Sequence, residues 1–134
     1  MKKSDENSGI HLTLDGFTHE RRLLCDMNLI YGILDDIPAK VGLNKLTKPL
    51  VVWDRDCSPD NVGISGFIMI KESHISIHTF PERGFVAIDV YSCKGFDVED
   101  VLAFFTTAFK FERCEKHVIH RIGLAGNTQE RKLS

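Results

Sequence analysis

The sequence lacks the features that mark secreted, membrane or nucleic-acid-binding proteins. None of its apolar runs approaches the roughly 18 residues of a membrane helix, and no apolar stretch follows the lysines of the opening MKKSDENSG. Seventeen Lys and Arg against nineteen Asp and Glu give a net charge of −2, without the basic excess of a nucleic-acid binder. We therefore expect a cytoplasmic protein that binds neither membranes nor nucleic acids.

The sequence has few cysteines, and none of them lie at the paired spacing of a metal-binding motif. The four cysteines (Cys25, Cys57, Cys93 and Cys114) form no CxxC motif, which disfavours a structural zinc site, and we expect no metal. Without export, disulfides are not expected, so all four are interpreted as thiols. No GxSxG surrounds Ser73, and the GISG at 63–66 lacks that spacing, which disfavours a hydrolase.

The 134 residues, 43% hydrophobic and 27% charged, fit a single domain covering 1–134. Helical periodicity predicts one helix over 23–41, with Asp26 as a candidate internal restart, and Asp97 is a predicted N-cap of a second helix. Strands are predicted at 11–15, 50–53 and 116–122 and in the three central runs GISGFIMI, HISIHTF and GFVAIDVYSC. This order predicts an α+β two-layer sandwich: a mainly antiparallel sheet with two helices on one face. The other face would meet water or a second protomer.

Reactive side chains concentrate between Glu72 and Glu82. Ser73 stands at a predicted tight turn, and His78, five residues on, is a candidate base for a weak hydroxyl. An odd separation places strand side chains on opposite faces, so the two meet only if Ser73 lies in the turn. A strand with one solvent-facing side would show the same polar residues without any chemistry.

The run KESHISIHTFPERGFVAIDVYSC resembles the core of the prokaryotic S-adenosylmethionine decarboxylase proenzymes. Their pattern is ESHxxIHTWPE followed by a D-[LVI]-[FY]-[ST]-C segment, and the preceding GISGFIMI resembles the family's GVSG strand. The likeness is contiguous from Gly63 to Cys93 and is highly specific.

The resemblance implies self-cleavage of the Glu72–Ser73 peptide bond. The Ser73 hydroxyl would attack the Glu72 carbonyl to form an ester, and β-elimination would leave a pyruvoyl group at residue 73. Residues 1–72 would then be the β chain and 73–134 the α chain. The pyruvoyl cofactor would form a Schiff base with the substrate amine and act as the electron sink as carbon dioxide leaves.

The resemblance also implies roles for individual residues. His78 matches the proton acceptor in processing, and Ser65 matches the serine that steadies the ester. Cys93 matches the proton donor of the decarboxylation. Glu82 matches the carboxylate near the substrate ribose, and Phe80, where the family more often has Trp, lies near the expected adenine region.

The predicted function is pyruvoyl-dependent decarboxylation of S-adenosylmethionine, which supplies aminopropyl groups for spermidine synthesis. A decarboxylase of arginine or ornithine with the same fold is the alternative within the enzyme class, since TFPE replaces TWPE and the loop with Asp54, Asp56 and Asp60 suits any cationic substrate. A non-catalytic binding protein that retains the fold is the alternative from another class. The expected partners are a small-molecule substrate and a second copy, in an (αβ)2 homodimer with the active site near the interface.

Overall fold

The computed structural model describes residues 9–54 and 62–122. Most of the loop predicted between the second and third strands, including Cys57, Asp56 and Asp60, lies outside the described residues.

Six strands and two α-helices form the described part of the chain. The strands are β1 (Gly9–Phe17), β2 (Leu50–Asp54), β3 (Gly63–Ile70), β4 (Ser73–Phe80), β5 (Phe85–Ser92) and β6 (Arg113–Arg121). The helices are α1 (Met27–Lys40) and α2 (Val98–Phe109), and 3-10 turns occupy Arg21–Cys25 and Pro81–Arg83.

The strands form one antiparallel sheet in the order β2-β3-β4-β5-β1-β6. Burial alternates along β1, β3, β4 and β5, as it must when one face of a sheet is covered. The covered face presents mainly branched apolar side chains, among them Leu12, Leu14, Ile64, Ile68, Ile75, Ile77, Ile88 and Val90. The central antiparallel meander predicted from the sequence is therefore confirmed.

Both helices pack on this covered face. Helix α1 lies against β2 and β3, and α2 lies against β1, so the predicted two-layer α+β sandwich is confirmed. Gly66 lets α1 approach β3 closely, because a Cβ at this position would stand 2.7 Å from a methyl of Leu34. Within 9–54 and 62–122, neither helix is long and apolar enough to cross a membrane.

Helix α1 begins at Met27 and not at residue 23, as the periodicity predicted. The preceding turn Arg21–Cys25 is 3-10, and Asp26 is extended. The Asp26 carboxylate accepts a hydrogen bond from the Leu29 N–H at 3.0 Å, which is the geometry of an N-cap. The candidate restart at Asp26 is thus the start of the helix itself. Asp97 caps α2 in the same way by accepting from the N–H groups of Glu99 and Asp100.

The opposite face of the sheet, called the open face below, carries no helix in the described part of the chain. Apolar side chains including Val52, Phe67 and Met69 are exposed there. His11, His74, His78 and Asp89 lie on the same face among them. An apolar face of this kind is unusual for an isolated two-layer domain and favours contact with a second surface.

Candidate active site

The turn at 71–72 joins β3 to β4 and carries the peptide bond at which cleavage is predicted. Ile70 and Ser73 pair directly across it, so two residues suffice to reverse the chain. Ser73 is therefore the first residue of β4, in the ladder opposite Ser92, and not in the turn as the sequence argument required. Its Oγ lies 3.3 Å from Nδ1 of His74.

The Glu72 carbonyl, which precedes Ser73, is held by a backbone donor. Its oxygen accepts a hydrogen bond from the Cys93 N–H at 2.9 Å. Attack by the neighbouring hydroxyl would place negative charge on this oxygen, and a fixed N–H aimed at such an oxygen stabilises that charge. The arrangement suits transfer of the Glu72 acyl group from the amide nitrogen of Ser73 to the Ser73 hydroxyl oxygen.

The side chain of Glu72 is also fixed, and it is only 8% exposed. Its carboxylate accepts hydrogen bonds from the backbone N–H of Asn44 at 3.1 Å and from Asn44 Nδ2 at 2.7 Å. Burial tends to raise the pKa of Glu72, but the bonds from Asn44 and the positive charge of Lys94 outweigh it and lower the pKa below its usual value. Glu72 therefore stays ionised at neutral pH.

Cys93 lies at the same end of the sheet as Ser73. It follows Ser92, the residue that pairs with Ser73 across β4 and β5. Its thiol is free and half-buried, whereas the free thiols of Cys25 and Cys114 are exposed. A partly accessible thiol beside the predicted cleavage point can exchange a proton with a group bound there.

Ser65 and His78 form a second pair on the open face. They are cross-strand partners on β3 and β4, and the Ser65 hydroxyl lies 2.9 Å from His78 Nδ1, a hydrogen-bond distance. They line a small depression of about 150 Å³ together with Leu50, Val52 and Phe67. The structure thus brings these two predicted site residues together.

Ser73 and His78 are not brought together within one chain. Five residues of strand separate them by about 16 Å, and their side chains leave opposite faces of the sheet. Thr79, a further polar residue of this strand, is buried and structural. Its hydroxyl accepts from the Ile64 N–H and donates to the Leu24 carbonyl.

Phe80 and Glu82 lie farther along the chain, at the other end of β4. Seven residues of strand place Phe80 about 23 Å from Ser73. Its ring stacks on Phe85 with 5.3 Å between centroids. Glu82 lies in the 3-10 turn after β4, and its carboxylate is 3.8 Å from an Arg21 guanidinium nitrogen.

A cleft of about 620 Å³ opens beside Glu82. The turn Arg21–Cys25, the first residues of α1 and Pro81 line it together with Glu82. Burial and the negative charge of Glu82 raise the pKa of the Cys25 thiol, so this thiol is protonated at neutral pH. Among the described residues, the cleft is therefore lined by two arginines and two carboxylates, Asp26 and Glu82, and by no reactive thiolate.

Three residues of these surroundings were missed in the sequence. Asn44 stands in a polar stretch after α1, and nothing in its spacing connects it to Glu72. No role is predicted for His74 from the sequence, yet this residue contacts the Ser73 hydroxyl and stacks on Phe67. Phe85 could have been found from the short turn that follows TFPE, because strands joined so closely pair residues near the turn.

Comparison with known proteins gives one consistent family. Residues 10–122 match the sequence profile of the S-adenosylmethionine decarboxylase family. An S-adenosylmethionine decarboxylase proenzyme of Symbiobacterium thermophilum is 34% identical over 95 residues, which are 71% of this chain and 67% of the relative. The proenzyme of Archaeoglobus fulgidus is 28% identical over 114 residues, or 84% of this chain and 96% of the relative.

A further relative and a solved structure agree with this. The proenzyme of Pyrococcus furiosus is 44% identical over 85 residues, which cover 63% of this chain and 57% of that relative. The crystal structure of the adenosylmethionine decarboxylase from Aquifex aeolicus superposes with a TM-score of 0.71 at 24% identity, over 87% of this chain and 92% of the other. The structural match shows a shared fold.

Proposed function

This chain belongs to the S-adenosylmethionine decarboxylase family, and from that premise we propose that it is a self-cleaving, pyruvoyl-dependent decarboxylase of S-adenosylmethionine. The observation that carries the proposal is the Glu72 carbonyl, held by the Cys93 N–H at 2.9 Å directly before Ser73. The decarboxylated product would supply aminopropyl groups for spermidine synthesis.

Cleavage begins with the Ser73 hydroxyl. Its oxygen attacks the Glu72 carbonyl carbon, the C–N bond breaks, and the hydroxyl proton passes by way of His78 to the freed amine. The Cys93 N–H stabilises the negative charge on the carbonyl oxygen during this step. Elimination then removes the Cα proton of residue 73 and breaks its Cβ–Oγ bond, which releases the Glu72 carboxylate and leaves an enamine. The enamine tautomerises to an imine, and water hydrolyses the imine to the pyruvoyl ketone with release of ammonia. The β chain 1–72 and the α chain 73–134 result.

The residues around Ser73 fit a pyruvoyl group at that position. Ser73 is the first residue of β4, directly after the turn at 71–72, and its backbone is fixed by pairing with Ser92. When present, the group supplies a carbonyl that takes up the bonding electron pair as carbon dioxide leaves the substrate. Cys93 directly follows Ser92, the strand partner of Ser73, and returns a proton to the substrate carbon.

A second copy of the chain completes the site. His78 acts on Ser73 in this proposal, yet the two lie about 16 Å apart in one chain. When the open faces of two copies pack with their strands antiparallel, the His78 end of one copy meets the Ser73 end of the other. The Ser73 hydroxyl is within reach of that face at the end of the strand, because it lies 3.3 Å from Nδ1 of His74, a side chain of the open face. The exposed apolar side chains of the open face, Val52, Phe67 and Met69, support this (αβ)2 homodimer.

The same symmetry assigns the substrate contacts. Phe80 and Glu82 follow His78 along the chain and lie at the same end of β4, far from Ser73 of their own chain. They would therefore reach the substrate from the partner copy. The stacked rings of Phe80 and Phe85 offer an aromatic surface for adenine, and the Glu82 carboxylate accepts hydrogen bonds from the ribose hydroxyls.

Carbon dioxide release tests the substrate assignment. Processed enzyme is supplied in parallel with S-adenosylmethionine, ornithine and arginine, with Ser73→Ala protein as the control for background release. We expect release from S-adenosylmethionine. Release from arginine or ornithine alone would overturn the substrate and leave the self-cleavage standing, and no release from any of them would favour a non-catalytic binding protein.

A further inference from the structure

The segment 42–47, called the anchor segment below, runs beside the turn at 71–72. Lys94 donates to the Gly42 carbonyl at 3.2 Å at one end of the segment. At its other end, the N–H groups of Leu46 and Thr47 both donate to the Met69 carbonyl. The anchor segment is thus tied to β3 and to the residues that follow β5.

Asn44 lies in the middle of this segment, and three of its polar groups form hydrogen bonds with the residues of the turn. Its backbone N–H and its Nδ2 donate to the two carboxylate oxygens of Glu72, at 3.1 and 2.7 Å. Its carbonyl accepts a hydrogen bond from the Lys71 N–H at 2.8 Å. Both residues of the turn are therefore bonded to one residue outside it.

The turn needs such support from outside. The two-residue hairpin turns that match the twist of paired strands require a positive φ at one or both turn residues. Among the non-glycine residues that the structure describes, only Lys110 has a positive φ, so neither Lys71 nor Glu72 has this conformation. The backbone of the turn does not by itself provide the favoured geometry.

We infer that Asn44 is a positioning residue for self-cleavage, which holds Glu72 so that its carbonyl carbon faces the Ser73 hydroxyl. The inference rests on the proposed function. The Cys93 N–H fixes the carbonyl oxygen of Glu72 from one side, and Asn44 fixes the side chain of the same residue from the other. Misplacement of a reacting group by about 1 Å can cost about 10²-fold in rate.

The charge of Glu72 agrees with this role. Burial opposes ionisation of its carboxyl, but the Asn44 hydrogen bonds and Lys94 lower the pKa of Glu72 overall. At neutral pH the ionised carboxylate therefore accepts both bonds from Asn44.

A side-chain exchange tests the inference through the rate of cleavage. Asn44→Asp places a second carboxylate against Glu72, and we expect cleavage to slow by at least about tenfold, the lower range for a charged hydrogen bond. Glu72→Gln places the side-chain NH2 of residue 72 against an N–H donor of Asn44, and this variant should also cleave more slowly. The double variant Asn44→Asp with Glu72→Gln restores one donor and one acceptor, and we expect most of the lost rate to return.

Two further measurements separate positioning from folding. Lowering the pH protonates one carboxyl of the Asn44→Asp pair, so its rate relative to wild type should rise as the pH falls toward about 5. Thr47→Ala is the matched control, because it removes a hydrogen bond between the anchor segment and Met69 without touching the turn. It should cleave at the wild-type rate. If Asn44→Asp does not fold, Asn44→Ala takes its place in the comparison with Thr47→Ala.

The outcomes distinguish the inference from the proposed function. Wild-type protein that never cleaves overturns the proposed function and the inference that rests on it. Wild-type protein that cleaves while the Asn44 variants cleave equally fast overturns the inference alone. A double variant as slow as the two single variants also overturns it, because the pairing would then not matter.

Discussion

The two ends of β4 hold their functional side chains in different ways. At the Ser73 end, the preceding Glu72 is 8% exposed, and its carbonyl and carboxylate are both hydrogen-bonded within the chain. At the other end, the Glu82 side chain is 65% exposed, and its carboxylate lies 3.8 Å from a guanidinium nitrogen of Arg21, which is 61% exposed. An exposed pair of this kind contributes little to rigidity.

The difference between the fixed Glu72 and the exposed Glu82 matches two separate tasks, the cleavage reaction and the binding of substrate. A donor that must stabilise charge during a reaction acts best when it is fixed before the reaction starts. A residue that binds substrate gains its contacts when the substrate, or a second copy, covers it. We therefore expect changes to the groups that fix Glu72 to affect cleavage, and changes to Glu82 to affect substrate binding only.

The largest effect is expected from variants that test whether His78 acts on Ser73 of its own chain or on Ser73 of the second copy. Ser73→Ala lacks the proposed nucleophile and His78→Ala lacks the proposed base, so neither protein alone should cleave. When the two are co-expressed, we expect the His78→Ala chain to be cut, because the Ser73→Ala chain supplies His78 from across the dimer. Mass spectrometry distinguishes the two chains. If the mixture stays as uncut as the single variants, His78 does not act from a second copy.

A second change separates cleavage from turnover at the Ser73 end. Cys93→Ala keeps the backbone N–H that holds the Glu72 carbonyl, so this variant should still cleave. Its turnover should fall by about 10²–10⁴, the range for loss of a general acid. Cys114→Ala removes an exposed thiol on β6 and serves as the control. A processed Cys93→Ala enzyme with full activity would contradict the proton-donor assignment.

At the Glu82 end, Glu82→Gln should weaken substrate binding by about 1.5–3 kcal/mol, because it removes a charged hydrogen bond. The rate of self-cleavage should not change. The readouts are KM in the carbon dioxide assay and the cleavage rate of fresh protein, with Glu99→Gln as an exposed carboxylate control on α2. Slower cleavage in Glu82→Gln would show that the two ends are not separate.

The smallest expected effect is on stability in acid. The pKa of Glu72 is lowered in the folded protein, so its carboxylate stabilises the fold above the ordinary glutamate pKa of about 4.3. This contribution is lost as the pH falls through the lowered pKa. In the Ser73→Ala background, in which the chain stays uncleaved, Glu72→Gln should therefore lower the free energy of unfolding by about 1–2 kcal/mol at pH 7 and change it little at the acid end. Chemical denaturation across this range measures it, and a difference independent of pH would count against the ionised state.

Much of the fold could be predicted, because alternation and capping are local signals. Alternating apolar residues predict the meander of β3, β4 and β5, and Asp97 predicts the start of α2 because its side chain is an N-cap. The start of α1 was misplaced because residues 23–25 carry the apolar spacing of a helix but adopt a 3-10 turn before Asp26.

The site could be predicted only in part. Ser73, His78 and Cys93 belong to a motif contiguous in sequence, but their arrangement depends on strand register. A turn of two residues placed Ser73 in the ladder, on the face opposite His78. Asn44 meets Glu72 across 28 residues of chain, and no local pattern encodes such a contact.

Self-cleavage between Glu72 and Ser73 is measured by the intact mass of purified wild-type protein. We expect two fragments, one ending at Glu72 and one beginning at residue 73 that is lighter by one ammonia than its sequence. Ser73→Ala should give a single chain under the same conditions. A wild-type chain that remains at 134 residues after long incubation would contradict the account.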